Sequence, residues 1–198
     1  RRKESLYFEK VSGIRRQGQT SESFNNILEN DLSVMVFNFV DMISHARTEM
    51  EMIRELANDE RAYRSLTLSW LNHSSLIDII KMLADKNIEI IVTTDHGAIR
   101  VDNPVKVLGD RETNTNLRYK LGKNLNYKSK QVFEVRDPRE AFLPSRNVST
   151  SYIFAHNKDF FIYPNNYNYF ANYFKDTFQH GGISLEEVII PLVRLVPK

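Results

Sequence analysis

Cysteine is absent from the 198 residues. That excludes a disulfide frame and any thiolate metal site, so a bound metal would rely on oxygen and imidazole. Long apolar runs are missing too. Val34–Val40 and Val188–Pro191 are the longest, far short of the about 20 residues a bilayer-spanning helix needs. There is no secretory pattern, because the chain opens on Arg1-Arg2-Lys3 and a polar stretch, so a cytoplasmic location is expected. Neither sign of charge dominates: the net charge is +2, which points to no partner class. No internal repeat or low-complexity segment interrupts the chain. What remains is the composition of an ordinary globular protein, 41% apolar and 26% charged, long enough for one domain at about 100–200 residues each. The first residue is Arg1 rather than Met, and a piece of a longer protein is therefore expected.

The chain is organised around Ile88–Gly97, IEIIVTTDHG. Ile88, Ile90, Ile91 and Val92 predict a short strand buried on both faces, as in parallel sheets. It ends in Thr93-Thr94-Asp95-His96-Gly97, at the carboxyl end where open α/β sheets place their ligand crevice. Residues 1–30 read as a polar lead-in. Val34–Val40 predicts a strand with Asp41 at its end. Helical spacing follows at Met50, Ile53 and Leu56, then over Arg61–Leu71. A further helix is capped by Ser74 or Ser75 and carries Leu76, Ile79, Ile80 and Leu83 on one face, with Asn87 as its stop. Strand, helices, strand is the crossover that joins two parallel strands in one sheet.

Residues 98–130 are irregular and basic, with eight Lys/Arg against three acids from Arg100 onward. Gln131–Arg136 predicts a strand. Ser151–Ala155 and Phe160–Tyr163, separated by His156-Asn157-Lys158-Asp159, read as a β-hairpin. Asn168–Phe178 reads as an aromatic helix, broken by His180-Gly181-Gly182.

Several of these residues carry two readings. Asp41 and His45 are four apart, so in a helix they share a face and can hold one ion; the plainer reading is an N-cap aspartate and an unrelated histidine. Asp95-His96 is either a metal-binding pair or a capped turn. His180 is either a ligand or a helix C-terminus closed by Gly181. Arg111, Arg118, Lys120 and Lys123 could contact the phosphates of a nucleotide or oligonucleotide, or belong to a solvated insertion. The aromatics from Tyr152 to Phe178 could stack on bases, or pack a hairpin and helix. Glu186-Glu187 fits dipole complementarity at a helix start better than acid catalysis.

In order, Asp41-x-x-x-His45, Asp95-His96-Gly97 and the late His180-Gly181-Gly182 form a set that resembles the alkaline phosphatase superfamily. The wording TTDHG and QHGGISLEEVIIPL is similar to its PglZ branch. NFVDMISHARTEM and DRETNTNLRYKLGKNL are similar to PorX-type response regulators, which join a receiver domain to a C-terminal PglZ domain and serve type IX secretion.

The resemblance implies an α/β domain, with a mostly parallel central sheet flanked by helices and an added β-hairpin region. Residues 1–198 would be its C-terminal portion, with 98–130 as a basic insertion. It implies two zinc ions, one on Asp41, His45 and His180, the other on Asp95 and His96 with a ligand from elsewhere. The implied activity is a zinc-dependent phosphodiesterase acting on short or cyclic oligonucleotides, as effector of a response regulator. The alternative is a signalling module with a structural zinc, acting through dimerisation or partner binding. Implied partners are an upstream receiver domain with its histidine kinase, a second copy, and a secretion or transcription partner. The family's Ser or Thr nucleophile precedes the Asp-x-x-x-His motif and is expected upstream of Arg1.

Overall fold

The structure is a computed structural model that describes residues 5–11, 24–49, 55, 59–145 and 149–198, with the side chains of 45–49 left aside. It divides into two compact units, Arg1–Val92 with Val193–Lys198, and Thr93–Leu192. No helix among the described residues is long and apolar enough to cross a membrane.

The first unit begins with a strand that the polar lead-in hides. β1 (Leu6–Val11) pairs in parallel with β2 (Leu32–Phe37), Leu6 opposite Leu32 and Val11 opposite Phe37. The alternation in LYFEKV turns Tyr7 inward, where it joins Met35 and Phe37 against Phe24, Ile27, Ile79 and Leu83. α1 (Phe39–Glu49) starts two residues after β2, so Asp41 sits inside its first turn rather than on a strand end. Met50, Ile53 and Leu56 lie outside the described residues.

α2 (Glu60–His73) is capped by Asp59, whose carboxylate accepts from Ala62 N at 2.7 Å. α3 (Ser75–Ala84) buries Ile79 and Leu83, the face its spacing marks. Asn87 then takes a left-handed φ of 57°, which asparagine tolerates better than most residues.

β3 (Ile90–Thr93) corrects the reading of the organising strand. It pairs with β11 (Leu192–Leu195) and not with β2, and its residues alternate between half-buried and exposed. Ile90 packs into the Phe24–Leu83 cluster while Ile91 is 62% exposed. A run of β-branched residues thus has one covered face, the one that carries Ile90 onto the Phe24–Leu83 cluster.

In the second unit the sheets are small and of mixed direction, not one parallel central sheet. β4 (Ile99–Arg100) pairs antiparallel with β10 (Phe178–Gln179). β5 (Asn103–Lys106) runs parallel to β9 (Asp159–Ile162). β6 (Tyr119–Gly122), β8 (Ser151–Ala155) and β7 (Val132–Val135) form an antiparallel sheet with β8 in the middle.

The expected hairpin is therefore overturned. β8 has β6 and β7 on its two edges, so β9 must find its own partner in β5. This β9 is buried on both faces: Phe161 packs with Val105, Val107 and Ile153, while Phe160 and Ile162 pack with Ile99 and Val101. The basic segment 98–130 is no solvated insertion either, since Val101, Val105 and Val107 are core residues. The aromatic helix is shorter than its pattern, α4 (Tyr167–Phe174), and α5 (Leu185–Val188) follows the glycine pair.

Candidate functional site

His96 and His180 come together in the second unit. Their rings stack with centroids 3.8 Å apart and planes 8° from parallel, and one ligand-capable nitrogen of each lies within 4.8 Å of the other. His96 Nδ1 sits 2.9 Å from the Gly97 carbonyl. A carbonyl only accepts, so Nδ1 donates its N–H there and Nε2 is the nitrogen left to face a ligand. This is the arrangement of a metal-ligating histidine whose other nitrogen is fixed by a backbone oxygen. The Asp95 carboxylate stands 3.7 Å from Nε2, with its side chain 88% exposed.

Neighbouring backbone holds the Thr93–Gly97 turn. Thr93 Oγ1 donates to the Pro191 carbonyl at 2.8 Å, and Thr94 Oγ1 to the His96 carbonyl at 3.0 Å. Gly97 N donates to the Glu187 carbonyl at 2.9 Å. A Cβ on Gly97 would come 2.0 Å from the Glu186 carbonyl oxygen, so only glycine lets the turn lie against the backbone of α5. His180 follows β10, not a helix end. Its carbonyl accepts from Asn116 Nδ2 at 3.3 Å, and Gly181 takes φ 102°, open to glycine alone at no steric cost.

One ion pair ties both turns down. Arg118 and Glu187 are 0% and 1% exposed at the side chain. Arg118 donates through Nε to Oε1 at 2.9 Å and through Nη2 to Oε2 at 2.8 Å, a bidentate pair. Nη1 donates to the Asp159 carbonyl. Glu187 also accepts from Gly182 N at 2.8 Å, Ser184 N at 3.1 Å and Ser184 Oγ at 2.7 Å. Its side chain therefore fixes the turn after His180, and its backbone carbonyl fixes the turn after His96. Asn116 completes the frame, with Oδ1 accepting from Arg118 N and Tyr119 N at 2.7 and 3.1 Å.

Burial raises the Glu187 carboxyl, but hydrogen bonds from Arg118, Ser184 and Gly182, with the Arg118 charge, outweigh it and hold the group below its ordinary 4.5. A carboxyl depressed in the folded state stabilises the fold above its unfolded value and loses that contribution as pH falls through the folded value. Urea midpoints are thus expected to hold steady above about pH 5 as far as this group is concerned. They should drop progressively below it. A Glu187→Gln variant should show a shallower drop.

Asp41 and His45 lie four apart in α1 of the first unit; Asp41 is partly buried, and the side chain of His45 is outside the described set. Of the four proposed phosphate contacts, Arg118 is placed otherwise, because its guanidinium is buried on Glu187 and Asp159. Arg111 is exposed. Lys123 stands 4.0 Å from Glu112. Lys120 lines an apolar cavity. Tyr152, Phe160, Phe161 and Phe178 are core and not free to stack on bases. Sequence reasoning missed Asn116, and it read Glu187 as a complement to the helix dipole where the side chain is the buried partner of Arg118. Ser184-x-x-Glu187 is a capping-box spacing that marks the glutamate, but nothing local names Arg118, 69 positions away.

No curated protein matches the chain. The family model described as the BREX system PglZ alkaline phosphatase-like domain matches residues 6–195, from β1 to the end of β11. An alkaline phosphatase-like fold with mixed helices and small sheets points to a phosphoesterase-type hydrolase. The chain, with its Asp95-His96-Gly97 turn and its His180-Gly181-Gly182 turn bound to one buried glutamate, belongs to the PglZ family.

Proposed function

We propose that this chain is the metal-holding part of a zinc-dependent phosphodiesterase. The observation that carries the reading is the parallel stack of His96 on His180. Zinc binds imidazole at about 2.0–2.1 Å, in the ring plane. The two imidazoles, stacked with centroids 3.8 Å apart, would hold the metal and let it supply its charge at this pair of turns. The order of the motifs favours two ions, with His180 a ligand of one and Asp95 with His96 ligands of the other.

Bound metal would supply Lewis-acid stabilisation of charge on a phosphoryl group and a lowered pKa for an oxygen nucleophile. The chain's own residues do the rest. The Gly97 carbonyl fixes the His96 tautomer, Asp95 presents an exposed carboxylate, and the Glu187–Arg118 pair keeps both histidine turns in register. The nucleophile, expected as a Ser or Thr hydroxyl, is assigned to no residue of this chain. The likeness of NFVDMISHARTEM and DRETNTNLRYKLGKNL to PorX-type proteins supports an effector role in type IX secretion, under a receiver domain, with short or cyclic oligonucleotides as substrates.

A second reading has one observation in its favour. Leu185, Ile189 and Leu192 are 69%, 67% and 75% exposed, a row of apolar side chains suited to a second copy or a secretion or transcription partner, with the metal purely structural. Turnover separates the two. The protein at its full natural length is expected to hydrolyse bis(p-nitrophenyl) phosphate, to stop on adding EDTA, and to recover with zinc. Asp95→Ala, which removes an exposed side chain, should abolish turnover without lowering the melting temperature. A metal-replete protein that turns over no phosphoester would leave the interaction reading in possession.

A further inference from the structure

A cavity of about 370 Å³ opens in the second unit, away from the histidines: neither His96 nor His180 lines it. Its size falls in the about 300–1,000 Å³ range of small-molecule sites. One wall is aromatic and aliphatic, made by Leu117, Phe161, Phe170 and Phe174, and the last two rings stack 17° from parallel. The other wall is the 109–114 loop and Lys120.

That loop is fixed. Asp110 Oδ1 accepts from Glu112 N at 3.0 Å and from Thr113 Oγ1 at 3.2 Å. Thr113 is seated between two glycines: a Cβ on Gly109 or Gly122 would fall 2.3 or 2.6 Å from its Oγ1.

Lys120 is the unusual group. Its Nζ donates to the Asn114 carbonyl at 3.0 Å, and among the described residues it has no carboxylate partner. Burial alone pushes its pKa down to about 8. An ammonium withdrawn from water without a counter-ion gains when an anion arrives. Asp110 also lines the cavity and turns its Oδ1 to the loop, and no ion pair joins it to Lys120 among the described residues.

We propose that this cavity binds a small aromatic anion, its ring against Leu117, Phe170 and Phe174 and its carboxylate, sulfonate or phosphate on the Lys120 ammonium. The aromatic wall supplies most of the contact area, and the single cation selects charge. The site is independent of the metal reading.

Titration calorimetry at neutral pH with EDTA present tests it, using 2-naphthoate, 2-naphthalenesulfonate and the neutral 2-naphthol. The anions are expected to bind at least about tenfold tighter than 2-naphthol. Lys120→Met should erase that preference and Lys120→Arg should retain part of it. Phe170→Ala, at a partly exposed ring, should weaken all three. Inorganic phosphate alone should bind far more weakly than either anion. Equal affinity for 2-naphthol and the anions, a preference that survives Lys120→Met, or no binding of any naphthyl probe would overturn the proposal.

Discussion

Replacing Glu187 with alanine is expected to destabilise the Thr93–Leu192 unit by about 3–5 kcal/mol, the range for removing one partner of a buried ion pair. The loss should sit at the upper end for a stated reason. The carboxylate satisfies Arg118 at two atoms, and also Gly182 N, Ser184 N and Ser184 Oγ. Alanine leaves Nε and Nη2 of the buried guanidinium and these donors together without an acceptor, and each unmade buried hydrogen bond costs about 1–3 kcal/mol. Arg118→Met should cost less, because the remaining carboxylate keeps its three other donors.

The ordering is the sharp part of the expectation. Trp70, the single tryptophan, lies in the first unit and is the wrong probe. Hydrogen exchange of the β6, β8 and β7 amides reports on the right residues. Faster exchange there in Glu187→Ala than in Arg118→Met is the expected result. Equal or reversed effects would mean that the ion pair, not the turn bonding, carries the stability.

The second large effect concerns the metal. His96→Ala and His180→Ala are each expected to remove one ion and leave the other, because the proposed function gives each ring its own ion. The affinity lost should exceed the about 10–100-fold typical of disturbing an outer-shell partner. Glu187→Gln, which touches neither ring, should fall inside that smaller range, since it loosens the turns after both histidines without deleting a ligand. If His96→Ala and His180→Ala each strip the whole metal content, the rings share one ion and the two-ion reading fails.

Much of this architecture is written locally, and the part that is not has a common cause. The Leu76–Leu83 spacing, the stop at Asn87 and the strand before Asp95 all rest on residues a few positions apart, and they appear close to where the pattern puts them. Strand pairing depends on partners far away. The Ser151–Ala155 and Phe160–Tyr163 runs look like a hairpin because a short turn joins them, yet β8 is claimed on both edges by β6 and β7. The Ile88–Val92 run looks buried on both faces, but doubly buried character belongs to β9, whose neighbour β5 supplies cover from the basic segment. β1 escaped notice because Glu9 and Lys10 give it a polar composition, although its alternation turns Tyr7 inward. At the candidate site the histidines and their glycines are visible as motifs. The frame beneath them is not, since Arg118 and Glu187 meet across 69 positions and a buried arginine reads, by type alone, as a phosphate contact.

Elemental analysis of the purified protein at its full natural length, beside His96→Ala and His180→Ala, tests the central claim most directly. The account predicts about two zinc equivalents per chain in the parent and about one in each variant. A parent protein with no bound metal, or variants with unchanged content, would contradict it.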